Sequence, residues 1–558
     1  MRDVAEELGV ETFGPVVAFF ERDPLVQAHE MRDNANSRGE RHRTKLYKMP
    51  TEQPVRIDGR SLTLEDVEAV ARRGAKVELA AGASARAQST YELNQRLIRG
   101  GATVYGVTTG VGDSVGRKVG ANEASALQES LIRLNGCGTG PDLPEDQSRA
   151  VVLARANCLA RGNSAVRPLI PEMMLEMLNL GFTPVIPEQG SIGASGDLVP
   201  SSYIGAVLMG EREVVRRGQR ADAATVWREA AREPVRLHAK EGIAILNGTC
   251  FMTGIAALTI LDAGRIADAV DACTAMTCEG LTGISGPFHP FLHEVKPHPG
   301  QARSAERILG FVRGSRLVSD YDEAVASGRR VQDNYSLRCA PQCNGVLRDT
   351  LVWAREWVDR ELNSANDNPL YDAEEGRVHS GGNFAGFHVA LAMDALKMAV
   401  ASVADLIDRQ FALLVDEKFS SGLPANLSPI TGGTQHGFKS MQIALSSLAA
   451  EALARCMPMS AFSRSTEAHN QDKVSMGAAA ARAARDVVEI TSRCCAIHLL
   501  GAAQAAELRG AEGLGEGTSA VYRRIREVSA FVERHRPLDR DINAVSELVR
   551  RGALLAGL

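Results

Sequence analysis

The triplet Ala194-Ser195-Gly196 lies inside the small-residue run GSIGASGDL (190–198) and could build a reactive group from the chain itself. If the amide nitrogen of Gly196 attacks the carbonyl carbon of Ala194, a five-membered ring closes. Loss of water from the ring, and of the Ser195 hydroxyl as a second water, leaves an imidazolone with an exocyclic methylene, a strong electrophile. The reaction requires a glycine without a Cβ, so that the backbone can close on itself. Such a triplet is common and almost always inert, so support for this chemistry must come from the rest of the chain.

The elements that would position this run are mostly helical. Apolar residues recur at helical spacing over residues 145–161, 250–280, 386–416 and 477–510. Helices this long, with apolar residues on more than one face, need helical neighbours. We therefore expect a mainly α fold, a large helical bundle with a smaller mixed N-terminal domain, completed by other subunits.

The chain divides into three predicted parts. Residues 1–50 contain the polar run NANSRGERHRTK and are expected to form a partly disordered N-terminal extension. Residues 51–240 form the N-terminal domain that carries the triplet, and residues 241–558 form the central and C-terminal helical bundle. Within residues 55–66 the pattern predicts a short strand pair that turns at Asp58-Gly59, and then a helix capped by Ser61 or Thr63.

The composition excludes several classes of protein. The 558 residues are 44% hydrophobic and 23% charged with a net charge of -5, and no basic stripe suggests nucleic acid or an anionic membrane as a partner. No uninterrupted apolar segment approaches the roughly 20 residues that span a bilayer, and the N-terminus does not resemble a signal peptide. The ten cysteines include no CxxC pair, which favours reduced thiols and a cytoplasmic location.

Other motifs are weaker. The run Gly110–Gly116 has one residue too many for a dinucleotide loop and lacks the strand-turn-helix context. Ser195 is not in a GxSxG elbow, because Asp197 occupies the last glycine position. His289, His293 and His298 are close in sequence, but prolines interrupt any helix that would align them, so we predict structural roles and no metal site.

Glycine- and asparagine-rich loops between the helices provide the further evidence for this chemistry. Together with the triplet, they are similar, in sequence and in order, to the motifs of the histidine and aromatic amino acid ammonia-lyases and the related aminomutases, a family that this chain resembles over about residues 55–535. The matching stretches are YGVTTGVGDS (105–114), GSIGASGDLVPSSYI (190–204), LNGTC (246–250), QDNYSLRCAPQ (332–342), NSANDNPL (363–370), HSGGNFAG (379–386), HGFK (436–439) and STEAHNQDKVSMG (465–477).

The resemblance implies an architecture and a prosthetic group. The group is 4-methylidene-imidazol-5-one (MIO), formed from Ala194, Ser195 and Gly196 with no external cofactor. The fold is a bundle of long antiparallel helices in a homotetramer, and each active site is built from three subunits. Helix N-termini point at the electrophile, and their positive ends would raise its reactivity.

The resemblance also implies roles for individual side chains around an amino acid substrate. Tyr105 takes the β-proton, which requires positive potential to lower its pKa from about 10. Tyr335 is a second catalytic phenol, and Arg338 clamps the substrate carboxylate through its two-pronged guanidinium. The remaining residues that the resemblance places around the substrate or the imidazolone are Leu198, Asn247, Gln332, Asn368, Phe384 and Gln471.

The substrate ring is expected against Leu134 and Asn135, which match neither the phenylalanine, the tyrosine nor the histidine form of the family. Lys439 and Glu467 resemble the pair of the phenylalanine and tyrosine branch, as does the HNQD run, so we expect an L-phenylalanine or L-tyrosine ammonia-lyase that releases an arylacrylate. The open alternatives are an aminomutase that gives a β-amino acid, a histidine ammonia-lyase, and an inactive scaffold of the same fold. The related fumarase group is disfavoured, because its GSSxMPxKxNP loop is absent.

Overall fold

The computed structural model describes residues 53–328 and 331–558, and helices dominate this part of the chain. The helices are α1 (Leu64–Arg72), α2 (Ala81–Arg99), α3 (Ala124–Leu134), α4 (Glu145–Ala160), α5 (Leu169–Asn179), α6 (Leu198–Leu208), α7 (Ala223–Glu229), α8 (Glu241–Leu246), α9 (Cys250–Gly280), α10 (Pro290–Glu294), α11 (Pro299–Phe311), α12 (Tyr321–Ala326), α13 (Tyr335–Arg338), α14 (Ala340–Leu362), α15 (Phe387–Val415), α16 (Lys439–Ala454), α17 (Gly477–Arg509), α18 (Glu516–Val528) and α19 (Asp539–Arg550).

The strands are short and lie mostly in the N-terminal half. They are β1 (Val55–Ile57), β2 (Val77–Leu79), β3 (Thr139–Asp142), β4 (Phe182–Pro184), β5 (Pro187–Gln189), β6 (Glu213–Arg216), β7 (Gln219–Asp222), β8 (Leu370–Asp372) and β9 (Arg377–His379). β1 pairs with β2 in parallel, whereas β3–β5, β4–β6–β7 and β8–β9 are antiparallel. The mainly α fold with a mixed N-terminal part is therefore confirmed.

The four long helices expected from apolar spacing are α4, α9, α15 and α17, and each bound lies within one residue of its prediction. α9 is the central helix, since almost all of its residues are buried. It is the one helix among the described residues that is long and apolar enough to cross a membrane, and 83% of its most apolar window is buried inside the protein. Its hydrophobicity is thus accounted for by packing in the core.

The bundle combines antiparallel and parallel neighbours. α14 runs antiparallel to α9, because Asn344 near its start donates to the Ala267 carbonyl at 2.8 Å while Glu361 near its end accepts from the Thr249 hydroxyl at 2.5 Å. In contrast, α9, α15 and α17 run in the same direction. They meet at one end around Met252 and at the other around Gly280, where an added Cβ would lie 2.6 Å from Leu414 and 3.5 Å from Ala505.

The predicted strand pair over residues 55–66 is wrong. β1 pairs with β2 instead, and Asp58 Oδ1 accepts the amides of Arg60 and Ser61 in a turn. The backbone amide and carbonyl of Leu62 bind the side chain of Asn363, 301 residues further along the chain, so this segment is not available as a strand. The predicted cap at Thr63 is confirmed, because its side chain accepts from the Asp66 amide at the start of α1.

The described residues belong to one compact unit, Pro50–Leu558. The predicted boundary between residues 240 and 241 stays a prediction. The predicted extension over residues 1–50 lies outside the described residues.

Candidate active site

The triplet lies in a loop between β5 and α6, and its backbone rests directly on a second segment of chain. The Gly248 amide donates to the Ser195 carbonyl at 3.0 Å, and the Asp197 amide donates to the Gly248 carbonyl at 2.7 Å. Gly196 has φ +73°, and an added Cβ there would lie 2.1 Å from the Gly248 oxygen. Only glycine fits this contact, so the sequence requirement for a glycine has a steric cause in the fold.

Asp197 connects this loop to the start of α9. Its carboxylate is fully buried and accepts from the Ser191 hydroxyl at 2.7 Å and from the Met252 amide at 2.9 Å. Burial raises the pKa of Asp197 to about 6, and the two hydrogen bonds oppose that shift. The acid therefore holds both ends of the triplet loop against one helix N-terminus.

Several helix N-termini converge on the triplet. α6 begins at Leu198, two residues after Gly196, and α9 begins two residues after Gly248. The amide of Met476, immediately before α17, donates to the Ile192 carbonyl at 3.0 Å. Because each helix carries a partial positive charge at its N-terminus, the loop lies in positive potential. This arrangement would stabilise negative charge that develops at an electrophile formed there.

A cavity of about 500 Å³ opens beside the triplet. Gln471 Nε2 lies 3.4 Å from Ser195 Oγ, and Leu134 is 70% exposed. The predicted site residues that line this cavity are Tyr105, Leu134, Asn135, Ala194, Ser195, Gly196, Leu198, Asn247, Glu467 and Gln471. The fold thus brings together residues that are up to 366 positions apart in sequence.

Tyr105 is held in place by the 3-10 turn that follows it. The Gly112 amide donates to the Tyr105 hydroxyl oxygen at 2.9 Å, and Glu467 Oε1 accepts from the Asp113 amide at 3.3 Å. Burial raises the pKa of Tyr105, the Glu467 carboxylate raises it further, and the Gly112 hydrogen bond acts in the opposite direction. Within one chain the pKa shift is therefore opposite to the predicted lowering.

Asn247 is fixed by a buried ion pair that sequence reasoning missed. Lys240 Nζ lies 2.6 Å from Asp367 Oδ2, and both side chains are fully buried. Asn247 Nδ2 donates to Asp367 Oδ1 at 3.2 Å and to the Asn368 carbonyl at 3.1 Å. Asp367 lies within the NSANDNPL motif, and its position there is the sequence feature that could have indicated a role in the site.

The remaining predicted residues lie elsewhere in the chain. Gln332 and Arg338 line a different cavity, of about 810 Å³, and the Arg338 guanidinium lies over the Tyr335 ring at 4.5 Å. Tyr335 is 72% exposed. Asn368 accepts from the Gly381 amide at 2.8 Å, Phe384 is half-buried, and Lys439 is exposed at the start of α16; none of these three lines the cavity beside the triplet.

His289 and His293 have structural side-chain contacts, whereas His298 precedes α11 without capping it through its side chain. His289 Nδ1 accepts from the Phe291 amide at 3.2 Å and caps α10, and buried His293 contacts the Pro287 carbonyl and Gln301. In the part of the chain that the structure describes, the group whose ligand atoms converge within 4.8 Å is instead Asp372, Glu375 and His379 on the β8–β9 hairpin.

Comparison with known proteins agrees with this geometry. The family model described as aromatic amino acid lyase matches residues 62–527. Histidine ammonia-lyase of Myxococcus xanthus is 39% identical over 502 residues, 90% of this chain and 98% of the relative. Histidine ammonia-lyase of Alkaliphilus metalliredigens is 40% identical over 495 residues, 89% of this chain and 96% of the relative.

Two solved structures are similar to this chain in fold. The tyrosine aminomutase from Streptomyces globisporus has a TM-score of 0.87 at 36% identity and covers 90% of this chain and 98% of its own. The histidine ammonia-lyase from Trypanosoma cruzi has a TM-score of 0.82 at 34% identity and covers 90% of this chain and 94% of its own. Fold and site thus define the ammonia-lyase and aminomutase class of helical enzymes. The chain belongs to the aromatic amino acid lyase family.

Proposed function

We propose that this protein is an aromatic amino acid ammonia-lyase that eliminates ammonia from L-phenylalanine or L-tyrosine and releases an arylacrylate. The observation that carries the proposal is the close backbone contact between Gly196 and Gly248, which lies at converging helix N-termini and beside Tyr105. In the proposal Ala194, Ser195 and Gly196 form the MIO group, and the close backbone contact fits a ring closure that tolerates no Cβ at Gly196.

The side chains around the cavity have complementary roles in this proposal. The MIO group supplies an electrophile for the substrate amine, which makes the nitrogen a better leaving group. Tyr105 takes the β-proton, and the Gly112 amide stabilises its phenolate. Because burial and Glu467 raise the pKa of Tyr105, the positive ends of α6, α9 and α17 are needed to offset that shift.

The substrate carboxylate would be bound by a neighbouring copy of the chain. Arg338 lines a separate cavity, and the exposed ring of Tyr335 packs against the Arg338 guanidinium. Apolar side chains on α14, α15 and α16 are also exposed: Val352 is 71%, Met398 53% and Ile443 59% exposed. Apolar exposure of this extent is typical of a surface that another chain covers, in keeping with a homotetramer whose active sites are shared between subunits.

Asn135 supports a substrate ring that donates a hydrogen bond. Its Nδ2 donates to the Leu131 carbonyl at 2.9 Å, so the amide group is oriented and its Oδ1 remains as the acceptor. Asn135 and the apolar side chain of Leu134 both line the cavity. A phenol can satisfy such an acceptor and a phenyl ring cannot, so within the phenylalanine and tyrosine branch we favour tyrosine.

Two alternatives have specific support. An imidazole N–H would also suit the Asn135 oxygen, and the curated relatives above are histidine ammonia-lyases. The likeness to a tyrosine aminomutase supports a β-amino acid product instead. All ten cysteines are thiols, which suits the cytoplasmic location that we propose.

The test is to incubate the purified protein separately with L-tyrosine, L-phenylalanine and L-histidine, with Ser195→Ala as the control. Arylacrylate is followed by ultraviolet absorbance, β-amino acid by chromatography, and the mass of the peptide containing residues 190–197 by mass spectrometry. We expect a peptide lighter by two waters and arylacrylate from L-tyrosine, both absent in Ser195→Ala. A peptide of full mass and no turnover would contradict the lyase and favour the inactive scaffold.

A further inference from the structure

Arg155 is a buried, charged side chain that contacts the segment on which the triplet rests. It lies on α4, where every residue from Gln147 to Ala160 is buried, and its own side chain has no exposed surface. Burying a guanidinium costs several kcal/mol unless its surroundings compensate. Hydrophobic residues of similar length would fill the same space without that cost, so this position calls for a specific explanation.

The contacts of Arg155 converge on the junction between α8 and α9. Its Nη1 donates to the Asn247 carbonyl at 3.0 Å and to the Ala244 carbonyl at 3.3 Å. These are carbonyls of the last turn of α8, where a cation is favoured by the helix dipole. A Cβ added to Gly248 would lie 2.7 Å from Arg155 Nη2, so the guanidinium also packs against Gly248.

Gly248 is the residue on which the triplet rests. Its amide and carbonyl bind the Ser195 carbonyl and the Asp197 amide, and its Cα, carbonyl carbon and oxygen occupy the space that a Cβ of Gly196 would need. A short chain of contacts therefore runs from the Arg155 guanidinium through the Asn247–Gly248 peptide to the Ser195–Gly196 backbone. Any change in the position of that peptide is transmitted to the triplet.

The electrostatic surroundings keep Arg155 charged. Burial lowers the pKa of Arg155, but nearby Cys250, Cys158, Asp367 and Asp197 outweigh it, so that its pKa lies above its ordinary value. Its Nε and Nη2 have no hydrogen-bond partner within the described part of the chain. The cation is thus held by two carbonyls of one helix end and by the nearby carboxylates of Asp367 and Asp197, a geometry suited to fixing a backbone position.

We infer that Arg155 is a positioning residue for the ring closure of the triplet, an inference that rests on the function proposed above. By fixing the Asn247–Gly248 peptide, it holds the triplet backbone compressed enough for the Gly196 nitrogen to bond to the Ala194 carbonyl carbon. The Gly196 amide proton moves to the former carbonyl oxygen, and that hydroxyl leaves with the Ser195 amide proton as the first water. The Ser195 hydroxyl leaves with the Ser195 Cα proton as the second.

The same helix offers a matched control. Arg149 is also buried, and its guanidinium also donates to backbone carbonyls, those of Val70 at 3.0 Å and Leu178 at 3.2 Å. These partners are remote in sequence from the Asn247–Gly248 peptide. Replacing Arg149 removes a buried guanidinium of α4 without touching the proposed support.

The experiment compares Arg155→Met, Arg155→Lys and Arg149→Met with the wild-type chain. Each is purified, its thermal unfolding and oligomeric state are recorded, and the mass of the peptide containing residues 190–197 is followed over time after synthesis. We expect at least a tenfold lower fraction of the dehydrated peptide in folded Arg155→Met. Arg155→Lys should mature more slowly than the wild-type chain but reach a higher fraction than Arg155→Met, because its ammonium can bind one carbonyl but lacks the planar fork. Arg149→Met should mature fully even if it unfolds at lower temperature.

Each outcome decides the inference. Complete dehydration in Arg155→Met, or equal loss in Arg149→Met, would overturn it. If Arg155→Met does not fold, the rate of maturation of Arg155→Lys decides: slower than wild type supports the inference, and equal to wild type overturns it. A wild-type peptide of full mass would instead remove the proposed function itself, so the two failures are distinguishable.

Discussion

At the scale of single residues, hydrogen bonds decide which groups of the site remain available to a substrate. Tyr105 and Asn135 both line the cavity beside the triplet. The Tyr105 oxygen accepts from a backbone amide, whereas one N–H of the Asn135 side chain donates to the Leu131 carbonyl of α3. An oriented acceptor beside Leu134 would discriminate between substrates, because a polar group that a bound ring covers without pairing costs about 1–3 kcal/mol.

Asn135→Leu tests this discrimination. Removing the acceptor should lower kcat/KM for L-tyrosine relative to L-phenylalanine by about tenfold, corresponding to about 1.4 kcal/mol. The measurement is the ratio of the two kcat/KM values by ultraviolet absorbance. Leu134→Met, which keeps the apolar contact, should leave the ratio unchanged. An unchanged ratio in Asn135→Leu would mean that its oxygen does not contact the ring.

At the scale of elements, the site is made by helix ends. Three long helices, α9, α15 and α17, run in the same direction and meet around Met252. A bundle with strictly alternating directions would place helix N-termini and C-termini side by side, and their partial charges would largely cancel. The shared direction instead gathers positive ends around the triplet. The junction of α8 and α9 at Gly248 must therefore be tightly packed to bring the triplet to that point.

Gly248→Ala tests the junction. Gly248 has φ +136°, and an added Cβ would lie 2.0 Å from the Asn366 carbonyl oxygen. Strain and overpacking together should lower the free energy of unfolding by about 2–4 kcal/mol, and the dehydrated fraction of the triplet peptide should fall. The measurements are denaturant unfolding and peptide mass.

Gly181→Ala is the control for backbone strain alone. Gly181 has φ +74°, and an added Cβ would meet nothing within 4 Å. The substitution should lower the free energy of unfolding by about 1–2 kcal/mol, and the triplet should still dehydrate fully. If Gly248→Ala and Gly181→Ala lost the same unfolding free energy and the same dehydrated fraction, the packing at Gly248 would have no special role.

At the scale of the whole molecule, one chain presents the two halves of the proposed site in different cavities. The triplet and Tyr105 line one cavity, and Arg338 lines the other. A substrate amino acid needs both its amine and its carboxylate bound at once. In the function proposed above, assembly of several copies would supply both, and closed symmetric assemblies are the common way to share sites between identical chains.

Co-expression of two inactive variants tests shared sites. Ser195→Ala removes the electrophile and Arg338→Met removes the carboxylate clamp, so each alone should be inactive. In a mixed assembly at equal amounts, about one quarter of the sites should combine an intact Ser195 with an intact Arg338 from another chain. Turnover by the co-purified mixture is the measurement. An inactive mixture, with mixed assembly verified by two affinity tags, would place both groups in the same chain.

Local patterns in the sequence were enough to predict the long helices. The bounds of α4, α9, α15 and α17 follow from apolar periodicity, and the Thr63 cap from a local pattern, because both depend on residues within a few turns. The order of the motifs predicted which residues belong to the site, but Gln332 and Arg338 line a different cavity from the triplet.

Contacts between distant segments could be seen only in the folded chain. The pairing of β1 with β2 rather than with its sequence neighbour, and the hydrogen bonds of Leu62 to Asn363, depend on contacts far apart in the chain. The raised pKa of Tyr105 and the separation of Arg338 from the triplet arise in the same way, since burial and the proximity of charges are properties of the packed chain. Local patterns contain no information about these distances, and that is the physical reason why the fold had to supply them.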